Sequence, residues 1–301
     1  MAQVTSLKQM AELVKGGPLK KVAVACGQDP DIIGALARAV NEKLAQAILI
    51  GDQKKTEALA KENNIDPRIF TLIDQTDYKK AATQAVEMVK KGEADVLMKG
   101  LIDTAIYARA YLNKETGLTT GATVSHVAVF EVPNYPRLLI LTDAAQIPYP
   151  DFGQKVDMIN HAVAVARKLG VETPKVAVLT ATEKVNPKWP CSLEAAQLAK
   201  MADRGQIKGC IVDGPLSMDA AVSPESAAGK GLKSPVAGYA DILLTPDIQA
   251  GNILYKTLTQ LAKAELAAMV IGTSAPVVLT SRTDSDDTKF MSIILSVLMA
   301  K

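Results

Sequence analysis

The sequence predicts an α/β protein of two domains, each a mostly parallel sheet flanked by helices. Apolar runs of strand length alternate with helical stretches along almost the whole chain, which is the pattern of βα units built on a parallel sheet. The alternation breaks once, where two strand-like runs follow each other at residues 123–131 and 137–141. A length of 301 residues is enough for two ordinary domains.

The first part of the chain alternates regularly. Val22-Ala-Val-Ala-Cys26 is typical of a buried strand, and residues 77–91 place Ala82, Ala85 and Val89 on one helical face. We therefore expect strands at 22–26, 47–51 and 94–99, a short apolar run at 69–73, and helices at 29–44, 56–63, 77–91 and 104–112.

A hairpin is expected where the alternation breaks. The two runs are joined by Val132-Pro-Asn-Tyr-Pro136, and so short a link joins strands in antiparallel fashion. We therefore place a domain boundary near residue 138. Farther along the chain, we expect Ser192 to cap the helix at residues 192–204. The later strands are expected at 175–180, 209–213, 240–245, 268–272 and 277–281, and the helices at 151–169, 192–204, 252–265 and 285–299.

The composition is that of an ordinary globular protein, with 48% hydrophobic residues, 22% charged residues and a net charge of +2. No basic block indicates nucleic-acid binding, and no apolar run approaches the roughly 20 residues of a membrane span. Residues 1–21 lack the apolar core of a signal peptide. Three cysteines without metal-ligand spacing predict reduced thiols in the cytoplasm, and two histidines leave little scope for a histidine-rich metal site.

Polar residues recur just after the predicted strands. Turns are rich in such residues for conformational reasons, so each group alone is a weak signal. Because open α/β sheets bind ligands at the carboxyl ends of their strands, five such groups together predict one shared cleft. The groups are Lys99-Gly100, Thr142-Asp143, 182–186, 213–219 and 245–252.

The most informative junction lies between the last predicted strand and the last helix. It contains Ser281 and Arg282, followed by the carboxylates of Asp284, Asp286 and Asp287. A guanidinium holds phosphate through two parallel hydrogen bonds, and a carboxylate can accept a proton. The alternative is helix capping, with Ser285 as N-cap and acidic residues favoured by the helix dipole.

Further candidates come from single positions. A charge that ends an apolar strand, as Lys99 does, needs an anionic partner if it is buried. Gly251-Asn252, ahead of a helix that contains Lys256, is expected either to cradle an anion or simply to begin the helix. Ser125 and His126 alternate in a strand, so at most one of them points into a given site.

The chain lacks a Walker A sequence and a Gly-x-Gly-x-x-Gly motif after its first strand. It resembles instead the phosphate acetyltransferase and phosphate butyryltransferase family, over nearly its whole length and more the butyryltransferase branch. The motifs that carry the resemblance are Asp95-Val-Leu-Met-Lys-Gly100, Gly121-Ala-Thr-Val-Ser-His-Val-Ala-Val-Phe130, Leu141-Thr-Asp143, Lys208-Gly-Cys-Ile-Val-Asp-Gly-Pro-Leu216, 246–256 and 273–285.

The resemblance implies a fold related to the isocitrate and isopropylmalate dehydrogenases, with the active site in the cleft between domains. The first domain would contain residues 1–138 and the C-terminal helix 285–301, and the second residues 139–284. The implied reaction is butanoyl-CoA plus phosphate giving butanoyl phosphate plus CoA. CoA would be a substrate, and no metal or tightly bound cofactor is implied.

The resemblance also implies roles for particular residues. Arg282 would hold the phosphoryl group, and Ser281 would donate a hydrogen bond to the oxygen that gains charge in the transition state. The position of the family's catalytic aspartate falls at Thr288, so the base is open among Asp287, Asp284 and Asp286, with Asp287 favoured. The candidate phosphate- and CoA-binding residues are Lys99, Ser125, Asp143, Asn252, Lys256 and Asp284.

Three alternatives stay open at the level of sequence. One is the same reaction with acetyl-CoA. Another is a metal-dependent dehydrogenase on the same scaffold, with Asp213, Asp219 and Asp247 as candidate ligands, and the last is a non-catalytic CoA or phosphate binder. In each case we expect a homo-oligomer, because symmetric self-association is common.

Overall fold

The computed structural model describes residues 3–280 and 284–301. It is a mixed α/β fold in which helices flank a mostly parallel sheet, as the alternation predicts. The chain divides into two compact units. The N-terminal unit contains Lys8–Val124 and Ala267–Lys301, and the central unit contains Ser125–Leu266 with the residues up to Leu7.

The first part of the chain alternates strands with helices. Local chemistry fixes the helix starts: Asp29, for example, accepts a hydrogen bond from the amide of Ile32 at 3.1 Å, and Pro30 occupies the first helical position. The strands are β1 (Lys20–Ala25), β2 (Ala45–Gly51), β3 (Thr71–Asp74) and β4 (Val96–Lys99), and the helices are α1 (Leu7–Glu12), α2 (Pro30–Asn41), α3 (Gln53–Glu62), α4 (Tyr78–Lys90) and α5 (Thr104–Tyr111).

The central unit begins with the expected hairpin, β5 (Ser125–Glu131) and β6 (Leu139–Thr142), which pair antiparallel. The remaining elements are α6 (Phe152–Lys168), β7 (Lys175–Leu179), α7 (Pro190–Asp203), β8 (Ile211–Leu216), α8 (Met218–Val222), α9 (Pro224–Gly229), β9 (Ile242–Leu244) and α10 (Ile248–Gln260). Strands β6, β9, β7 and β8 are parallel neighbours in that order. Their carboxyl ends therefore meet at one edge.

The chain then returns to the N-terminal unit through β10 (Glu265–Ile271), β11 (Val277–Val278) and α11 (Asp286–Met299). Strand β11 lies parallel to β4 and antiparallel to β10. The strand order in this unit is thus β3-β2-β1-β4-β11-β10. Helix α11 packs against α2.

Alternation along β1 sends side chains to both faces of this sheet. Ala23 and Ala25 join a buried cluster with Ala81, Ala85 and Tyr107, so α4 and α5 cover that face. Within residues 3–280 and 284–301, no helix combines the length and the apolar character that a membrane span requires.

Two helix starts differ from the expectation. Trp189 occupies the N-cap position of α7, and Ser192 lies inside the first turn, where its hydroxyl donates to the carbonyl of Trp189 at 2.8 Å. Helix α10 begins at Ile248 rather than at residue 252, because Asp247 caps it by accepting a hydrogen bond from the amide of Ala250 at 2.9 Å.

The limits of the two units also differ from the expected boundaries at residues 138 and 284. The central unit starts at Ser125 because β5 pairs with β6, so both strands of the hairpin belong to it. It ends at Leu266, and β11 belongs to the N-terminal unit because it pairs with β4.

Candidate active site

Asp143, at the carboxyl end of β6, organises the loop that follows it. Its side chain is buried, and Oδ1 accepts hydrogen bonds from the amides of Ala145 and Gln146, both at 2.8 Å. Oδ2 accepts one from the amide of His126 at 2.9 Å. This carboxylate therefore fixes the backbone at the edge of the sheet, a role that sequence reasoning did not reveal.

Asn252 lies beside the same loop, where Nδ2 donates to the carbonyl of Ala144 at 3.1 Å. Gly251 brings α10 close to it, since a Cβ at that position would lie 2.0 Å from the carbonyl oxygen of Asp143. The structure thus places two predicted residues, Asp143 and Asn252, together. The anion cradle expected at Gly251-Asn252 is corrected, because α10 starts earlier and both residues lie inside it.

Ser125, also a predicted site residue, is fully buried at the start of β5. Its Oγ lies 2.9 Å from Nδ1 of His161 on α6. Burial lowers the pKa of His161, and the nearby Asp157 carboxylate opposes the effect. In its neutral form the imidazole can accept a hydrogen bond from the serine hydroxyl.

Lys256 is exposed on α10, and its Nζ lies 5.4 Å from the centre of the Tyr255 ring. Tyr255 is buried against Phe130, with the ring centroids 5.4 Å apart, and against His126, at 6.0 Å. The lysine therefore extends from a packed aromatic surface into solvent.

A charged cluster forms where the loops after β7 and β8 meet. Nζ of Lys230 donates to Glu183 Oε1 at 2.8 Å, to Ser217 Oγ at 2.7 Å and to Asp219 Oδ1 at 2.9 Å. Hydrogen bonds from Ser217 and Lys230 lower the pKa of Asp219 to about 2, and those from Lys230 and Ser217 lower the pKa of Glu183. Two of the predicted strand-end groups, 182–186 and 213–219, thus lie together.

The three aspartates considered as metal ligands have other contacts. Asp219 belongs to the charged cluster, Asp247 caps α10, and Asp213 Oδ1 accepts a hydrogen bond from the amide of Gly214 at 2.8 Å. Among the residues that the structure describes, no group of three or more His, Cys, Asp or Glu side chains is placed to hold a metal ion.

The central unit also contains an apolar cavity of about 470 Å³ at the carboxyl ends of β7 and β9. Ile253 on its rim is 67% exposed. The cavity is lined by Leu179, Thr180, Ala181, Cys191, Met218, Thr245, Pro246, Ala250, Ile253, Leu254 and Thr257.

In the N-terminal unit, Lys99 ends β4 with its side chain buried, and Nζ lies 3.5 Å from the carbonyl of Gly100. Only glycine suits position 100, because a Cβ there would lie 2.1 Å from the carbonyl oxygen of Cys26. Lys99 borders a cavity of about 120 Å³, which is also lined by Asp29, Asp31, Ile32, Gly100, Leu101, Thr280 and Lys289.

Ser281 and Arg282, the principal catalytic candidates, lie outside the described residues, which resume at Asp284. Ser285 caps α11, accepting a hydrogen bond from the amide of Thr288 at 3.2 Å, as the capping interpretation predicts. Asp286 is exposed in the first turn of this helix.

Asp287 has a partner on α2. Its Oδ1 accepts a hydrogen bond from Arg38 Nη1 at 2.7 Å, and its side chain is 69% exposed. The carboxylate therefore takes part in a surface ion pair between α2 and α11.

Sequence reasoning passed over Lys289. Its side chain is 4% exposed, and Nζ donates to Asp31 Oδ2 at 2.9 Å and to the carbonyl of Asp284 at 2.8 Å. The available signal was a lysine directly before the apolar run that starts at Phe290.

Comparison with known proteins gives one consistent result. The family model described as phosphate acetyl/butaryl transferase matches residues 5–84 and 75–297. The chain is 49% identical to the phosphate butyryltransferase of Clostridium acetobutylicum, over 99% of each chain. It is also 49% identical to the phosphate acetyltransferase of Thermotoga maritima, over 98% of this chain and 99% of that one.

Among solved structures, a branched-chain phosphotransacylase from Enterococcus faecalis V583 superposes with a TM-score of 0.82 at 34% identity. The match covers 94% of this chain and 100% of that chain.

Proposed function

The chain belongs to the phosphate acetyl/butaryl transferase family, and we propose that it catalyses reversible transfer of a butanoyl group between CoA and inorganic phosphate. The observation that supports this most is the 49% identity to a phosphate butyryltransferase over 99% of each chain. The substrates are butanoyl-CoA and phosphate, and the products are butanoyl phosphate and CoA.

Transfer proceeds by direct attack in a ternary complex. A phosphate oxygen bonds to the thioester carbonyl carbon, and the carbon–sulfur bond then breaks as CoA leaves. Arg282 holds the phosphate and Ser281 donates to the carbonyl oxygen as it gains charge, so positioning and charge stabilisation supply most of the rate. No cysteine nucleophile is required, and burial, opposed by Lys99, raises the pKa of Cys26 to about 12.

In the reverse direction a base removes the proton of the CoA thiol. The candidates are Asp284, Asp286 and Asp287. Oδ1 of Asp287 already accepts a hydrogen bond from Arg38 at 2.7 Å, so Oδ2 would be the proton acceptor if Asp287 is the base. Replacing each aspartate in turn by asparagine and measuring the rate of butanoyl-CoA formation identifies the base, whose loss is expected to lower kcat by about 10²- to 10⁴-fold.

Substrate binding is proposed to involve the candidate residues described above. Lys99 borders a cavity and would serve phosphate, and the exposed Asn252 and Lys256 would contact CoA. The buried Ser125 and Asp143 would position the neighbouring main chain. The predicted location of the site between the two domains stays a prediction.

CoA also carries phosphate groups of its own, and a cavity of about 270 Å³ between α4 and α5 suits one of them. Lys79 and Arg109 line it, and within the described residues neither forms an ion pair with a carboxylate. Replacing Arg109 by glutamine is expected to raise KM for CoA about tenfold and to leave KM for inorganic phosphate unchanged.

The test of the proposed function is turnover by the purified chain. Butanoyl-CoA and phosphate are mixed, and release of free thiol is followed with and without phosphate. Phosphate-dependent thiol release is expected, and it should persist in EDTA. Absence of phosphate-dependent release would reject the proposal. In a separate assay that supplies a 2-hydroxy acid as hydride donor, NAD(P)+ and a divalent cation, reduction of NAD(P)+ that is lost in EDTA would favour the dehydrogenase alternative.

A second candidate is acetyl transfer, which the 49% identity to the Thermotoga maritima enzyme favours. One or two methylenes are worth only about 1–3 kcal/mol in discrimination. A panel of acetyl-, propanoyl-, butanoyl- and branched acyl-CoA substrates, ranked by kcat/KM, distinguishes the two. We expect butanoyl-CoA to rank above acetyl-CoA, and the reverse order would assign the chain to acetyl transfer.

We also propose a cytoplasmic location, which is compatible with three free cysteine thiols.

A further inference from the structure

Lys289 carries a buried ammonium group with two specific acceptors. Lysine is almost never fully buried unless it is paired, because removing an ammonium group from water without a partner is costly. Here the partners are Asp31 Oδ2 at 2.9 Å and the carbonyl oxygen of Asp284 at 2.8 Å. Both distances are those of charge-assisted hydrogen bonds.

The contact with Asp284 is not needed to start α11. Ser285 already caps the helix, and the amide of Lys289 donates to the carbonyl of Ser285 at 3.0 Å. Asp284 precedes the N-cap, so its carbonyl has no place in the helical hydrogen-bond pattern. The ammonium group therefore binds main chain that lies just outside the helix.

The same ammonium group connects this main chain to α2. Asp31 lies in the first turn of α2, and α2 and α11 also meet through Arg38, which pairs with Asp287 and lies 3.8 Å from the Phe290 ring centre. The Lys289 side chain is 4% exposed and that of Asp31 is 50% exposed, so only the ammonium side of this ion pair is buried. Lys289 therefore adds a polar contact between α2 and the start of α11 to the exposed pair of Arg38 with Asp287.

Lys289 also lies near Thr280, the last described residue before position 281. It lines the same cavity of about 120 Å³ as Thr280 and Lys99. Thr280 directly precedes Ser281, and Asp284 comes two residues after Arg282. The side chain therefore lies close to the described residues on both sides of the proposed catalytic pair.

We infer that Lys289, with Asp31 as its counter-ion, is a positioning residue for phosphate in the proposed acyl transfer. This inference rests on the proposed function. Lys289 binds the carbonyl of Asp284, which comes two residues after the proposed phosphate-holding Arg282 in the sequence. Its loss should affect the phosphate half of the reaction selectively.

The first test is the substitution Lys289→Met, which keeps an unbranched side chain and removes both hydrogen bonds. We expect kcat/KM for phosphate to fall about 100-fold, the scale of a misplacement of about 1 Å. KM for butanoyl-CoA should change by no more than about twofold. Lys289→Arg, which keeps the charge and the donors, should recover phosphate kcat/KM to within about tenfold of the wild type.

Lys155→Met is the matched control. Lys155 is also buried, with a side chain 7% exposed and paired with Glu194, but it belongs to the central unit. We expect both methionine variants to lower the melting temperature, and only Lys289→Met to change the phosphate kinetics. A folded Lys289→Met variant with phosphate kcat/KM within about twofold of the wild type would overturn the inference.

If Lys289→Met does not fold, the variant Asp31→Asn tests the inference instead, because it keeps the lysine and removes its counter-charge. It should lower phosphate kcat/KM about two- to fivefold, the scale of an ion pair whose carboxylate is half exposed, and unchanged kinetics would overturn the inference. A wild-type chain without turnover would reject the proposed function instead. In that case hydrogen exchange of the backbone amides in residues 284–288 tests the positioning role without any activity measurement. We expect exchange about tenfold faster in Lys289→Met than in Lys155→Met, and equal exchange would refute the positioning role.

Discussion

At the scale of single residues, the sharpest prediction concerns how Arg282 holds phosphate. Lysine at this position keeps the charge but loses the planar fork that donates two parallel hydrogen bonds. For Arg282→Lys we expect KM for phosphate to rise about 10- to 100-fold, the worth of one charge-assisted hydrogen bond. Initial rates at varied phosphate and saturating butanoyl-CoA measure it.

Arg68→Lys is the control for this substitution. Arg68 also forms a forked contact, to Asp66, but its side chain is 88% exposed. Its replacement should leave the phosphate kinetics unchanged. If Arg282→Lys behaves like Arg68→Lys, Arg282 does not hold phosphate.

His161 predicts a dependence of stability on pH. Its pKa in the folded protein is lowered by burial, so the folded state resists protonation that the unfolded state accepts near the ordinary value of 6.5. Its contribution to stability is therefore complete above that value and is lost as pH falls through the lowered pKa. We expect the melting temperature to decrease as pH falls below about 6.5, and His161→Gln to flatten that part of the profile. An unchanged slope in the variant would contradict this assignment.

The sequence predicts a side-chain contact when the two partners are close neighbours in the chain. The N-cap at Ser285 follows from residue type and position, and the structure confirms it. Asp143, Asp287 and Lys289 each have a remote partner, which lies 17, 249 and 258 residues away in sequence, respectively. No local pattern encodes such contacts, so they required the fold.

At the scale of elements, two helical glycines should respond oppositely to alanine. At Gly251 in α10 a Cβ would lie 2.0 Å from the carbonyl oxygen of Asp143, whereas at Gly34 in α2 it would meet nothing within 4 Å. Overpacking costs about 1–3 kcal/mol, and alanine gains up to about 1 kcal/mol over glycine in a helix. Gly251→Ala should lower the melting temperature and Gly34→Ala should raise it by about 2–4 °C.

Thermal unfolding followed by circular dichroism measures both variants. Equal shifts of the same sign would show that the close approach of α10 to the loop after β6 does not constrain position 251.

The same glycine explains one error in the predicted elements. The sequence predicts a helix from residue 252, with Gly251-Asn252 either cradling an anion or beginning that helix. Gly251 is instead a glycine inside α10 that allows close packing on a distant carbonyl. The hairpin of β5 and β6 was predictable because its short link leaves only antiparallel pairing.

At the scale of the whole molecule, we predict a homo-oligomer. The described part of the central unit exposes large apolar side chains, among them Trp189 at 43%, Ile253 at 67% and Leu261 at 80%. Apolar surface of this kind marks interaction sites when it is contiguous, and Ile253 borders the apolar cavity. Light scattering after size exclusion should give a multiple of the 31.9 kDa monomer mass, and a value equal to it would reject the prediction.

The fold class was predictable because short apolar strands alternate with longer amphipathic helices over almost the whole chain. Errors of a few residues at the ends of single elements do not change this pattern. The limits of the two units were less accessible. They depend on which strands pair, as β5 does with β6 and β11 with β4, and pairing between remote strands leaves no local mark on the sequence.

The position of β11 has a consequence for biosynthesis. This strand comes from residues 277–278, yet it occupies an interior place in its sheet, between β4 and β10. A nascent chain therefore presents β4 as an open sheet edge until residues 277–278 have been synthesised. Because such edges invite pairing with other chains, we expect a chain that still lacks β11 to aggregate more readily than one in which β11 covers β4.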